Sequence, residues 1–160
     1  PIYSFSKYFC MTGWRVGWLI VPKELVRSVE CLAQNIYISA PTISQIAATA
    51  AFDSIEELEQ NIRRYRENRR IMLKNLINMG LSDFAPVDGA FYIYVDVSKL
   101  TNDSETFCRD LLLGTGVAAT PGTDFDPHRG NKSIRLSFSG DTAMIKEAIE
   151  RLGNWISKKH

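Results

Sequence analysis

Residues 54–80 constrain the fold more than any other stretch of this chain. Ser54, with Glu57 three residues on, has the spacing of a capping box. Ile55, Leu58, Ile62, Tyr65, Met72, Leu73 and Leu76 then fall along one face of a long helix, and Gly80 is placed to stop it. A helix with a continuous apolar stripe must lay that stripe on another element. The sequence that follows supplies the elements. Phe91, Ile93 and Val95 alternate with Tyr92, Tyr94 and Asp96 as in a strand, and a helix is predicted over 104–113. A short strand is expected over 117–119, and another where Ile134, Leu136 and Phe138 alternate with Arg135, Ser137 and Ser139. Asp141 stands where it would cap a last helix carrying Met144, Ile145, Ala148, Ile149, Leu152 and Trp155. From Asp53 onward the order helix, strand, helix, strand, strand, helix describes an α+β domain.

The residues ahead of this domain read differently. The β-rich run 14–21 suits a buried strand, and Pro22 sits where a first helical turn tolerates it. Leu25, Val26, Val29, Leu32, Ala33 and Ile36 follow at helical spacing. Residues 38–42 break that helix, and the alanine-rich residues 44–52 suit a short, closely packed one. The first strand is expected to lack a partner of its own in the chain, which begins with Pro1. Residues 1–40 are therefore expected to be the trailing edge of another domain, and residues 41–160 a small α+β domain.

Net charge is +1, from 19 basic and 18 acidic residues, which removes an electrostatic case for a nucleic-acid or membrane-surface partner. The run Arg63, Arg64, Arg66, Arg69, Arg70, mixed with Glu67 and Asn68, is expected to be a solvated helix face. Cys10, Cys31 and Cys108 are too few and too scattered for a disulfide framework or a zinc site. Their free thiols suit a reducing cytoplasm. No stretch is long and apolar enough to span a bilayer. His128 and His160 have no carboxylate or cysteine at ligand spacing, so surface positions are expected and no metal site.

The chemistry-bearing residues are concentrated near the start. In Ser4-Phe5-Ser6-Lys7 two hydroxyls stand two residues apart, so an extended chain can turn both one way. Arg15 follows Lys7 by eight positions. Hydroxyls and a planar guanidinium suit a phosphate dianion, and a lysine beside them can condense with an aldehyde. A phosphate and an aldehyde together describe pyridoxal phosphate. In the strand Ile134-Leu136-Phe138, Arg135 lies on the non-core face beside Ser137, where a fork-shaped cation on a rigid strand suits carboxylate capture. Tyr92 and Tyr94 are expected to pack or to sit at a domain face.

The run Ser4-Phe5-Ser6-Lys7-Tyr8-Phe9-Cys10-Met11-Thr12-Gly13-Trp14-Arg15-Val16-Gly17-Trp18 resembles the lysine signature of class I/II, fold-type I aminotransferases, the aspartate-aminotransferase-like branch included. Val87-Asp88-Gly89-Ala90-Phe91-Tyr92 is similar to the family's Pro-x-Gly-Ala-Phe-Tyr segment, and residues 117–125 to its Gly-Val-x-x-x-Pro-Gly-x-x-Phe loop. Ser133-Ile134-Arg135-Leu136-Ser137-Phe138 matches its Arg-x-Ser-Phe element. The resemblance implies an α/β enzyme fold in which residues 41–160 form the C-terminal small α+β domain, preceded by a trailing strand and helix of a large domain.

It further implies that Lys7 bonds covalently to pyridoxal phosphate and shuttles a proton. Ser4, Ser6 and Arg15 correspond to cofactor-phosphate ligands, and Arg135 grips the substrate α-carboxylate. Tyr37 and Ser39 fall in a segment that approaches the neighbouring subunit's site in dimeric relatives. Gly13 and Gly17 are backbone-permissive positions rather than ligands. The implied reaction moves an amino group between an amino acid and a 2-oxo acid, in a homodimer. The family's acidic partner of the pyridine nitrogen, its ring-stacking aromatic residue, and its asparagine and tyrosine on the ring hydroxyl all lie ahead of the lysine. The 160 residues alone are accordingly expected to be inactive. A carbon–sulfur β-lyase of the same fold, or a non-catalytic association module, remains the alternative.

Overall fold

The computed structural model describes residues 1–158; the expectation for His160 lies outside the described residues. The chain divides into two compact units, Pro1–Asn61 and Ile62–His160, with the boundary inside one long helix.

In the first unit, β1 (Ile2–Ser4) pairs antiparallel with β2 (Gly17–Leu19), Ile2 opposite Leu19 and Ser4 opposite Gly17. This corrects two expectations. The first strand does have a partner in the chain, and it is not buried, since Gly17 and Leu19 are exposed and Trp18 half-buried. Three residues are too short a run for alternation to reveal β1. Gly17 is required by the pairing, because a Cβ there would stand 2.5 Å from the Tyr3 carbonyl oxygen.

Helices α1 (Lys23–Ile36) and α2 (Thr42–Ala51) follow. The apolar spacing of α1 is as predicted, yet the helix buries none of its residues. The core of this unit lies instead under the turn between the strands. Phe5, Met11 and Ala48 are buried there with Phe9, Val16 and Trp18 packed against them. Phe52 joins them, with ring centroids 5.5 Å from Phe5 and 5.2 Å from Phe9.

The long helix α3 (Ile55–Asn78) ends as predicted. Gly80 takes φ +79°, and the Leu81 N–H reaches back to the Leu76 carbonyl at 2.9 Å, which pairs a carbonyl that the helix end leaves open. The second unit is a three-stranded antiparallel sheet in the order β3 (Tyr92–Asp96), β5 (Ser133–Ser137), β4 (Thr120–Pro121). Between them run α4 (Ser104–Thr115) and, after β5, α5 (Thr142–Ser157). Asp103 and Asp141 cap these helices by accepting from the Thr106 and Ala143 N–H groups. The Thr106 bond holds the Asp103 carboxyl below its ordinary pKa.

Ile93, Val95, Ile134 and Leu136 turn inward from the sheet against Leu76, Leu111 and Leu152 of the helices. Each such fully buried aliphatic side chain contributes about 1.5–3 kcal/mol of transfer free energy. The strand expected over 117–119 is displaced to Thr120–Pro121. The reason is local: the Val117 N–H bonds the Thr115 hydroxyl at 3.1 Å rather than the sheet, and pairing with β5 starts only where Thr120 meets Arg135.

The basic stretch of α3 needs a correction too. Arg63, Arg64, Arg66 and Arg70 are exposed, but Asn68 is fully buried. Its Nδ2 donates to the carbonyls of Phe138 at 3.0 Å and Gly140 at 2.9 Å, which ties the chain leaving β5 to α3. Arg69 is half-buried and donates to the Val87 carbonyl.

Candidate active site

Several hydrogen bonds within the loop from Ser4 to Arg15 shape it, and others tie it to Val16 and Glu59. The Phe5 N–H donates to the Val16 carbonyl at 3.2 Å and the Met11 N–H to the Phe5 carbonyl at 3.1 Å, which closes the loop over the aromatic core. Within it the Ser6 N–H donates to Ser4 Oγ at 3.0 Å, and the Thr12 hydroxyl donates to the Ser6 carbonyl at 2.6 Å. Arg15 turns back onto the same group, with Nη1 2.8 Å from the Thr12 carbonyl and 3.5 Å from Ser6 Oγ. The predicted phosphate donors Ser4, Ser6 and Arg15 thus stand together. Lys7 is exposed in the middle of the loop, and its carbonyl accepts from the Cys10 N–H at 3.0 Å.

Two residues of this loop, Cys10 and Arg15, have left-handed backbones with φ of +55° and +52°. Such conformations cost of order 1–3 kcal/mol each and persist where surrounding bonds over-determine them. Here the backbone ties to Lys7 and Val16 and the side-chain tie of Arg15 to Thr12 do so. Thr12 is the residue that motif spacing passes over. It lies inside the fifteen-residue run, and it connects Ser6 to Arg15. Tyr8 donates its hydroxyl to Glu59 at 2.8 Å, and this bond, then burial and the carboxylate's charge, raises the phenol's pKa.

Arg135 belongs to the second unit. It projects from the central strand, opposite Tyr94 of β3 and Thr120 of β4, on the face away from the buried Ile134 and Leu136. Its Nη2 lies 3.3 Å from Thr120 Oγ1, and its Cζ lies 5.1 Å from the Tyr92 ring centroid and 4.5 Å from that of Phe125. Tyr92 and Tyr94 therefore line the Arg135 face of the sheet. Tyr37 and Ser39 are exposed after α1, and Gly13 has open space around it. His128 is exposed, and no group of metal-ligating side chains occurs among the described residues. Cys10, Cys31 and Cys108 are free, and burial, with Asp124 second, pushes the Cys108 thiol up to about 11. No helix of the described residues is long and apolar enough to cross a membrane.

The donor set of the first loop fits a phosphate monoester. It offers two hydroxyls and a guanidinium with five N–H groups, one of them held by Thr12. Arg15 is exposed, so its remaining N–H groups can be reached by an anion from solvent. Lys7 lies in the same loop, three residues after Ser4 and next to Ser6 in the chain.

The sequence matches the family described as aminotransferase class I and II over residues 2–152. It is 50% identical over 155 residues to the valine–pyruvate aminotransferase of Mycobacterium tuberculosis, covering 96% of this chain and 40% of that protein. It is 38% identical over 159 residues to the (5-formylfuran-3-yl)methyl phosphate transaminase of Methanocaldococcus jannaschii, covering 98% and 42%. The crystal structure of an aminotransferase from Mycobacterium tuberculosis superposes with a TM-score of 0.95 at 48% identity, over 98% of this chain and 41% of that one. The chain thus spans about two fifths of the length of these relatives. The mixed helix and strand fold, the lysine loop and the match over nearly the whole chain agree, and the chain belongs to the class I and II aminotransferase family.

Proposed function

We propose that the chain carries the cofactor lysine and the carboxylate grip of a pyridoxal-phosphate-dependent enzyme that moves an amino group between an amino acid and a 2-oxo acid. The observation that carries this reading is the gathering of Ser4, Ser6 and Arg15 in the loop that also holds Lys7. When bound, pyridoxal phosphate supplies an aldehyde for covalent attachment and a ring that draws electrons from the substrate's α-carbon. Ser4, Ser6 and Arg15 would hold its phosphate, and Lys7 would supply the amine for that attachment.

The rest is done by side chains. With the cofactor bound, the Lys7 amine would serve as general base and acid, taking up the proton of the substrate α-carbon and holding it for return. Arg135 binds the α-carboxylate through paired N–H donors and so anchors the substrate by that end. The 50% identity to a valine–pyruvate aminotransferase supports a branched aliphatic donor and pyruvate as acceptor. In the whole protein residues 1–40 close the cofactor-binding domain and residues 41–160 form the small domain, in a homodimer. Three free cysteines suit a cytoplasmic setting. The 160 residues alone lack turnover, because the family's remaining cofactor contacts precede the lysine.

The test is an assay of the whole protein and of the 160 residues, each supplied with pyridoxal phosphate, L-valine and pyruvate. Alanine should form with the whole protein only. Pyruvate released from a cysteine conjugate, without alanine formation from valine and other donors, would favour the β-lyase reading. Ordinary turnover by the 160 residues would overturn the expected inactivity.

A further inference from the structure

The surroundings of Arg135 are more elaborate than a surface arginine needs. Stacking a guanidinium over rings is favourable, and it leaves the N–H donors pointing outward in the guanidinium plane. Here two rings meet one guanidinium. Tyr92 comes from the neighbouring strand, two positions from the residue paired with Arg135. Phe125 comes from the turn after β4 and stands closer. Both rings are partly open to solvent, at 40% and 49%, while Arg135 is half-buried.

The turn that delivers Phe125 is itself fixed. The Tyr94 hydroxyl donates to the Gly122 carbonyl at 3.4 Å, and its ring meets Phe125 edge-on, centroids 6.2 Å apart at 84°. Gly122 and Gly130 are packed back to back, and a Cβ on Gly122 would stand 2.6 Å from the Tyr94 hydroxyl. Ser104 anchors the same place from α4 by donating to the Gly130 carbonyl at 2.9 Å. A ring held this firmly can restrict a long side chain that is otherwise free to rotate.

We propose that Tyr92 and Phe125 are positioning residues for the carboxylate grip, their rings and the Thr120 hydroxyl holding the Arg135 guanidinium in its binding orientation before substrate arrives. This rests on the reading of Arg135 as the carboxylate ligand. Arginine carries substantial rotamer entropy, and immobilising it in advance removes that cost from binding. The rings touch no reacting atom, so they act on affinity and not on the proton transfers.

The test uses the whole protein with pyridoxal phosphate, L-valine and pyruvate, and the variants Phe125→Leu, Tyr92→Leu, Phe125→Tyr and Arg135→Gln. Losing either ring should raise KM for both substrates about five- to tenfold and change kcat less than twofold. Tyrosine at 125 restores a ring and should recover most of the affinity. In ¹⁵N-labelled protein the Arg135 Nε–H resonance should lose its ring-current displacement in Phe125→Leu and regain it in Phe125→Tyr. If Arg135→Gln destroys binding while folded ring variants keep normal KM values, the clamp is refuted and the carboxylate reading stands. If Arg135→Gln leaves KM unchanged, the carboxylate reading fails and the clamp with it. A change in kcat without a change in KM would also refute the clamp. Should Phe125→Leu fail to fold, Tyr92→Leu decides by the same KM criterion.

Discussion

Replacing Lys7 by alanine in the whole protein is expected to lower the rate of amino transfer on the order of 10⁴-fold while the protein stays folded. The rate effect follows from the role. In the proposed reading one amine serves as the covalent anchor and as the base and acid at the α-carbon, and a positioned proton-transfer group alone is worth about 10²–10⁴ in rate. The folding half follows from the surroundings. The loop stands on Phe5 and Met11 and is closed by backbone bonds and by Thr12, none of which is the Lys7 side chain. Lys7 is exposed, and substitutions at exposed positions usually change stability by within about 0.5 kcal/mol. Initial rates and a thermal melt of the two proteins check both halves. A variant that keeps wild-type turnover would remove Lys7 from the chemistry, and one that melts much earlier would make it a structural residue.

The second large effect is expected at Arg135. Arg135→Gln should reduce kcat/KM for both amino acid and 2-oxo acid about 10²–10³-fold, the size expected when one partner of a hydrogen-bonded charge pair is truncated. Glutamine keeps some length and a donor, so the loss reports the charge and the second N–H. Arg135→Lys should recover only part of it, because an ammonium cannot reproduce the planar fork and stacks less well over Tyr92 and Phe125. Steady-state kinetics over a range of both substrates separates these outcomes. The domain should survive the change, since Ile134 and Leu136, not Arg135, face the core of β5.

Much of this was legible in the residues, for physical reasons that differ from place to place. Helices α3 and α5 show their period because one face is packed on a sheet and the other is wet, and Gly80 and Asp141 mark their ends by the backbone groups they satisfy. The strand β5 was readable because burial alternates along it, with Arg135 on the other face. By contrast β1 and β4 are three and two residues long, and such short runs carry no period. Asn68 was hidden among arginines, because what buries it is a pair of carbonyls seventy residues away that no local pattern reveals. Helix α1 shows the opposite case: its spacing is strongly helical, yet it buries none of its residues. At the site, the hydroxyls, Lys7 and Arg15 stand out by residue type. Thr12 and the rings around Arg135 do not, since their part depends on backbone turns at Arg15 and Gly122 that no local residue pattern marks.

The attachment of the cofactor to one particular amine can be read directly. The whole protein, loaded with pyridoxal phosphate, is reduced with borohydride, digested and mapped by mass spectrometry. The phosphopyridoxyl group should be found on the peptide carrying Lys7, in close to one copy per chain, and should disappear when Arg15 is replaced by glutamine and cofactor is limiting. A stoichiometric label on any other lysine, with Lys7 unmodified, would contradict the assignment on which the proposed chemistry stands.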